Sequence, residues 1–367
     1  MRKGILAVAT TGALALTGLA ACGNNNSSGG SSGSSGAAKQ PYVGVILPDS
    51  KTSARWEGAD RPYLEKAFKA AGVKYDIENA QGDKNAFQTL ADQLITKGVN
   101  VLVIVNLDSG TGKAVLDKAK QQGIATIDYD RLTLGGGADY YVSFDNVKVG
   151  ELQGQGLQKC LTDMGVTKPT VAELNGSPTD NNATLFAQGY NSVLDPLYAN
   201  GTFVKGPNQS VPDWDNTQAG TIFEQMLTST SAIKGVLVAN DGMANSVISV
   251  LKKNSLNGKV PVTGQDATVQ GLQHILDGDQ CVTVYKAVKK EAKSTADLAV
   301  ALAKGQNPST TQSLKDPTSG KQVKSVLETP VAIYKDNVKD VVADGYVSKN
   351  DLCAGAYAAK CTAAGIS

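Results

Sequence analysis

At 367 residues, with 41% hydrophobic and 19% charged side chains, the chain has the composition of a soluble globular protein and exceeds one ordinary core, so two domains are the expected count. A formal net charge of +1 gives no electrostatic argument for a nucleic-acid partner or an anionic surface. His274 is the single histidine and sits midway along a helical pattern, which removes any easy Ser-His-Asp or histidine-metal constellation. Gly112-Lys113 lacks the spacing and the Ser/Thr of a phosphate loop, and Gly135–Gly137 is a turn without a dinucleotide fingerprint. No cofactor or metal is expected.

In chain order, Arg2 and Lys3 precede the apolar run Gly4–Ala21, which ends in Leu19-Ala20-Ala21-Cys22. The pattern resembles a bacterial lipoprotein signal peptide over residues 1–21, with Cys22 as the lipidated residue that ties the protein to the outer face of the cell membrane. Residues 22–40 are almost wholly Gly, Ser and Asn after that cysteine, a flexible coil by composition. From Pro41, continuous apolar runs alternate with helical patterns, as βαβ units do. Strands are expected at Tyr42–Leu47, Tyr75–Glu78, Val101–Val105, Thr126-Ile127 and Tyr140–Ser143, with helices at Ala86–Lys97 and Ala114–Gln122. An earlier helix carries Arg55 and Trp56 in its first turns, and Pro62 is expected to bend it or end an early segment.

A second cycle follows, with helices at Lys148–Leu161, Ala183–Leu194, Gln218–Thr228, Ala244–Lys253 and Val269–Leu276. Its strands are Thr170–Leu174, Phe203-Val204, Gly235–Ala239, Val262-Thr263 and Val282–Tyr285. Helix Lys289–Lys304, a surface loop at Gly305–Gly320, strands Val323–Leu327 and Val331–Tyr334, and a mixed closing segment complete the chain. Four cysteines follow Cys22, which fits two disulfides with three possible connectivities. Cys353 and Cys361 are close enough to staple the tail locally, leaving Cys160 with Cys281 by elimination.

The chain is organised around Thr126–Asn146, where two short strands deliver Asp130, Arg131, Asp145 and Asn146 at their carboxyl ends. Ligands of open α/β sheets sit beyond those ends, and a carboxylate beside a guanidinium suits a polar, uncharged ligand such as a polyol. The residue types agree with that: Asp, Asn, Arg and Lys present acceptors or donors in fixed planes that discriminate epimeric hydroxyls. Both tryptophans, Trp56 and Trp214, fall among the candidate segments, and an indole face suits the apolar C–H face of a sugar ring.

With these strand ends located, A-R-W-E, Y-D-R, Y-V-S-F-D-N-x-K-V-G-E-L-Q, G-S-P-T-D-N-N-A, A-N-D-G-M-A, S-L-N-G-K-V, G-Q-D-A and T-V-Y-K run in order from Ala54 to Lys286. Together they resemble the sugar-binding proteins of bacterial ABC importers, the type I ribose/xylose-binding family. The resemblance implies an α/β fold of two Rossmann-like lobes with parallel sheets, three hinge crossings and a ligand in the interlobe cleft. It implies an N-terminal lobe of 41–145 plus 287–328 and a C-terminal lobe of 146–286 plus 329–367. Carried over motif by motif, Arg55, Trp56, Asp130 and Arg131 are implied as N-lobe contacts, and Asp180, Asn182, Trp214, Asn240, Asp266 and Lys286 as the C-lobe set. Around Pro207–Pro212 the spacing departs from the family's pattern, next to Trp214.

The function implied is a monomeric, lipid-anchored receptor for a monosaccharide, D-xylose first, that hands it to the transmembrane subunits of an ABC permease. Glucose, arabinose or ribose as ligand, and a sensor that presents its closed form to a chemoreceptor or kinase, are the alternatives. A glycosidase using Asp130, Asp145 or Asp266 is disfavoured, because fixed Arg and Lys partners keep carboxylates ionised.

Overall fold

In the computed structural model, which describes residues 40–310 and 312–366, the unmixed apolar runs are strands buried on both faces. Cys22 and the Gly/Ser stretch through residue 38 lie outside the described residues. Strand β1 (Tyr42–Leu47) leads through a π-helical turn at Trp56–Asp60 into α1 (Arg61–Ala71). Pro62 sits in the first turn of α1 directly after the π turn, and the backbone stays helical through Asp60 and Arg61, so the proline does not end the segment as expected. Then come β2 (Lys74–Asn79), α2 (Lys84–Thr96), β3 (Val101–Ile104), α3 (Ser109–Gln121), β4 (Ala125–Tyr129) and β5 (Tyr140–Phe144).

The chain next crosses to a second sheet through α4 (Asn146–Asp163), β6 (Thr170–Asn175), α5 (Asn181–Ala199), β7 (Val204–Ser210), α6 (Asn216–Ser229) and β8 (Ile233–Val238). It continues with α7 (Asp241–Lys253), β9 (Thr263–Gln265), α8 (Val269–Asp277) and β10 (Val282–Tyr285). It returns to the first sheet in α9 (Val288–Ala303), β11 (Gln312–Lys315) and β12 (Gln322–Glu328). A third crossing leads to β13 (Val331–Ile333) and the short helices α10 (Val338–Ala343), α11 (Lys349–Leu352) and α12 (Ala358–Ala363).

The first sheet has the order β11-β12-β5-β4-β3-β1-β2, parallel except for β11. Alternate residues of its strands feed two cores: Val43, Val45, Val101 and Val103 meet Leu64 and Phe68 of α1 and Ala292, Ala296 and Ala299 of α9. On the other face Ile46, Leu102 and Ile104 meet Phe87 and Leu94 of α2 and Val115 and Leu116 of α3. The second sheet joins β7-β6-β8 to β9-β10-β13 through a single parallel bridge, Val236 to Val262, and β13 runs antiparallel to β10.

Helices α4 and α5 touch backbone to backbone. A Cβ on Gly150 would lie 1.9 Å from the carbonyl oxygen of Phe186, so only glycine permits this approach.

Three elements depart from the sequence expectation. The stretch expected as a loop at Gly305–Gly320 contains β11, whose polar Gln-Ser-Leu-Lys pairs on one side only and so carries no apolar alternation. β7 runs to Ser210 as a polar edge strand, where Pro207 is tolerated because the sheet has no further strand beyond it. The tail folds into α10–α12 around Val338, Val341, Leu352 and Cys361, too short a set of apolar positions to show a helical period.

Disulfides join Cys160 of α4 to Cys281 just before β10, and Cys353 to Cys361 within the tail, with Cα separations of 6.3 and 5.8 Å. The second closes a loop with a sequence separation of 8. Replacing both of its cysteines by serine is expected to lower stability by about 2–3 kcal/mol on the loop-entropy model, read as a shifted urea midpoint.

Candidate functional site

The site is assembled from loops that leave the carboxyl ends of strands in both lobes. The β1 loop supplies Thr52, Ser53, Arg55 and Trp56, and the β4 loop supplies Asp130 and Arg131. Facing them are Asp180 and Asn182 after β6, Trp214 after β7, Asn240 after β8, Gln265 and Asp266 at β9, and Lys286 after β10. All ten residues implied by the motifs line one small cavity, and none is more than 7% exposed. Phe186, Gln265, Thr52 and Ser53 complete the lining and were not anticipated. Phe186 lies on the expected helix Ala183–Leu194 as an apolar position and Gln265 stands inside G-Q-D-A beside Asp266, whereas Thr52 and Ser53 lie in the turn before Arg55, where a polar pair is unremarkable in sequence.

Asp145 is corrected. It is exposed and caps α4 by accepting from the backbone N–H of Lys148 at 3.0 Å, so it takes no part in the cavity. Its neighbour Asn146 is buried instead and donates to Asn182 Oδ1 at 3.0 Å. Capping and site roles coincide elsewhere: Asp180 caps α5 through Asn182 N at 2.9 Å and also accepts from the indole N–H of Trp214 at 3.1 Å. Asn240 Oδ1 caps α7 through Met243 N at 2.9 Å.

Asp130 is the centre of the site. Its carboxylate accepts from Arg55 Nη1 at 2.7 Å and from Asn182 Nδ2 at 3.1 Å, and Lys286 Nζ lies 3.6 Å away. Burial alone would raise its pKa, but Lys286, Arg55 and Arg131 outweigh that and pull it down to about 2. A carboxylate held so firmly ionised cannot serve as a general acid near neutral pH.

Several contacts span the lobes directly: Ser53 Oγ donates to Asp266 Oδ2 at 3.0 Å, and Arg131 Nε lies 2.9 Å from Asp180 Oδ2. The latter pair is close without hydrogen-bond alignment, so Arg131 Nε is a buried donor without a hydrogen-bond partner, as is Trp56 Nε1. Asp266 Oδ1 and Gln265 Oε1 are buried acceptors in the same condition. Lys286 Nζ approaches Asp266 Oδ1 only to 3.4 Å. Donors and acceptors left over on both walls match a ligand that does both, as a hydroxyl does. The indole of Trp56 lies under both guanidinium groups, 4.4 Å from Arg55 Cζ and 5.6 Å from Arg131 Cζ. Trp214 lies edge-on to Phe186, and a Cβ on Gly176 would fall 2.0 Å from its ring.

The backbone is strained here. Of eight non-glycine residues with positive φ among those described, Asp130 (61°), Asp213 (52°), Trp214 (57°), Asp266 (95°) and Ala267 (50°) belong to this site or adjoin it. Asp213 is exposed, so Asp213→Gly is expected to stabilise the protein by about 0.5 kcal/mol, by relieving left-handed strain, in urea unfolding.

A chain built this way has known counterparts. Residues 43–307 match the model of the periplasmic binding protein domain. The chain belongs to the periplasmic binding protein family. Across 317 residues it is 36% identical to the D-xylose-binding periplasmic protein of Escherichia coli, covering 86% of this chain and 93% of that one. Over 330 residues it is 36% identical to the multiple sugar-binding periplasmic receptor ChvE of Rhizobium radiobacter, covering 86% and 93%. The carbohydrate transporter solute-binding protein of Chloroflexus aurantiacus, solved with D-glucose, superposes with a TM-score of 0.77 at 30% identity over 85% of this chain and 98% of its own. The fold is therefore the type I periplasmic binding protein fold, with two lobes and a cleft between them.

Away from the cleft, His274 approaches Asp277 and Asp279 in this family member. Lys252 Nζ sits 2.8 Å from Asp279 and Lys360 pairs with Asp277, so ammonium groups already neutralise both carboxylates. Burial and Lys252 together keep the imidazole pKa below its usual value. The arrangement is a structural ion-pair cluster.

Proposed function

We propose that this protein is the receptor of an ABC sugar importer and binds one monosaccharide, D-xylose first, between lobes formed by 41–145 with 287–328 and by 146–286 with 329–367. The observation that carries this reading is the convergence of Arg55, Trp56, Asp130 and Arg131 with Asp180, Asn182, Trp214, Asn240, Asp266 and Lys286 on one cavity. D-xylose is the ligand named for the Escherichia coli relative, and the Rhizobium radiobacter relative is a multiple sugar-binding receptor. The binding of D-glucose by the Chloroflexus aurantiacus protein favours glucose as the second candidate.

Contacts from both lobes exist only when the cleft is shut, so ligand stabilises the closed form, and that surface is what a permease would read. The same reading makes the protein a binding component and not an enzyme, exported and held at the outer face of the membrane through Cys22. Support for the anchor is the Arg2-Lys3 start and the apolar run closing on Leu19-Ala20-Ala21-Cys22.

Titration calorimetry of the purified protein against xylose, glucose, arabinose, ribose and galactose tests the reading. Submicromolar binding of xylose alone supports it in full. Tight binding of another sugar retires the xylose assignment, and no heat with any of the five removes the sugar-receptor reading.

A further inference from the structure

Arg55 faces more acid than its single charge can balance. Its Nε and Nη2 donate to the two oxygens of Asp60 at 2.9 and 2.7 Å, Nη2 also reaches Glu291 Oε2 at 2.6 Å, and Nη1 reaches Asp130 Oδ2 at 2.7 Å. A guanidinium has five N–H groups, so this set leaves one, on Nη1, for a ligand. Arg55 therefore acts in the site chiefly by fixing Asp130.

The least expected member of the set is Glu291. It is 0% exposed, does not line the cavity, and sits in the first turn of α9, just past the crossing at Lys286 and Ala287. Arg55 and Asp60 face it from the β1 loop and π turn, Tyr129 and Asp130 from the end of β4, Tyr141 from β5, and Lys286 from the crossing. Lys286 is shared between Asp130 and Asp266. Three carboxylates thus compete for Arg55 and for parts of Lys286 and Arg131, which also face Asp266 and Asp180, and full ionisation of all three would leave uncompensated charge in the interior.

The geometry singles out which acid gives way. Both oxygens of Asp60 are engaged by Arg55, with a further donor from Tyr129 Oη at 2.6 Å, and Asp130 is held by Arg55, Asn182 and Lys286. Glu291 Oε1 has no hydrogen-bond partner, where a bare carboxylate oxygen costs more than a hydroxyl. Burial also pushes the Glu291 carboxyl well above its ordinary range, against the pull of Arg55.

We propose that Glu291 is a positioning residue of the sugar site, a neutral carboxylic acid that fixes the guanidinium plane of Arg55 and through it the carboxylate of Asp130. The inference rests on the sugar-receptor reading. Its test is calorimetry of the wild type, E291Q and E291A with D-xylose and D-glucose, together with difference infrared spectra of wild type against E291Q.

E291Q, which keeps a neutral oxygen acceptor for Arg55, is expected to bind within about threefold of the wild type, with the same ratio of xylose to glucose affinity. E291A is expected to bind about 30-fold more weakly, an order of magnitude in line with loss of a charge-assisted hydrogen bond, and with an altered ratio. The infrared difference should show a protonated carboxyl band that E291Q lacks. A residue that only stabilises the fold would lower the melting temperature of E291A without changing the sugar ratio. If E291A does not fold, E291Q and the infrared band decide alone. A loss above tenfold in E291Q, wild-type affinity in E291A, or no carboxyl band overturns the proposal while leaving the receptor reading intact. A wild type that binds no sugar of the wider panel removes both.

Discussion

Arg55→Met is expected to abolish measurable sugar binding and to lower stability by about 3–5 kcal/mol at neutral pH, because it strands Asp60, Asp130 and Glu291 without their shared cation. The loss carries a pH signature with a definite sign. In the wild type Asp130 has a pKa pulled down to about 2, so its contribution is present above the unfolded carboxylate value and fades as pH falls toward 2. Glu291 lies on the other side: burial raises its pKa, so the folded state holds the proton more tightly and stability falls as pH rises through the folded value. Removing Arg55 takes away a pull that lowers all three carboxyls, so Asp130 rises from its depressed value and Asp60 and Glu291 rise further. The gap between variant and wild type should therefore shrink as pH falls toward 2 and widen from there toward pH 8 in urea unfolding. A gap of constant size would show that the cost is lost packing, not stranded charge.

Together with Gly189→Ala, whose Cβ would lie 2.0 Å from the Val147 carbonyl oxygen across the same contact, Gly150→Ala should be among the most damaging single methyl groups in the C-terminal lobe. The new Cβ would meet backbone, the Phe186 carbonyl oxygen at 1.9 Å, which cannot rotate aside as a side chain would. Helices α4 and α5 would have to separate, at an expected cost of about 3 kcal/mol or more. The effect should reach ligand affinity too, because α4 begins at Asn146, whose amide donates to Asn182, and Asn182 in turn donates to Asp130. Gly220→Ala in α6 is the control. Its nearest neighbour would be Ser246 Cβ at 3.5 Å, an ordinary contact, so the helix should gain about 0.5–1 kcal/mol. Thermal or urea unfolding of the two variants side by side distinguishes steric separation from a general intolerance of change.

Much of this architecture was legible because parallel strands buried on both faces read as continuous apolar runs, and their ends fall where polar residues cluster. That logic led from Val101–Val105 and Thr126-Ile127 to Asp130 and Arg131, and the motif order led to the C-lobe residues that face them across the cavity. The polar supports behind the cavity were not legible. Glu291 lies in Lys-Lys-Glu-Ala-Lys-Ser, a string that looks like a solvated helix face, yet it is fully buried because α9 turns that side toward Arg55. Asp60, two residues before Pro62, carries no local sign of burial in the sequence, and the π turn aims it at the guanidinium. Burial of charge depends on partners far away in sequence, here 236 residues apart for Arg55 and Glu291, and local pattern carries no trace of them. Asp145 failed for the opposite reason: adjacency to Asn146 in a strand end suggested a shared role, whereas the start of α4 sends one side chain outward and the next inward.

The bridge between Cys160 and Cys281 gives the molecule a mechanical character. It ties the far end of the helix that follows the first crossing to the residue just before the strand that leads to the second, across a sequence separation of 121. Pulled from its ends, an oxidised molecule can extend only the chain outside this ring and the small one at Cys353–Cys361, and the large ring alone hides roughly 400 Å of contour at about 3.3–3.6 Å per residue. Reduction releases that length as a single added extension. A protease cut anywhere between β6 and β9 would likewise leave one covalent molecule, its two fragments parting only after the sulfurs are separated.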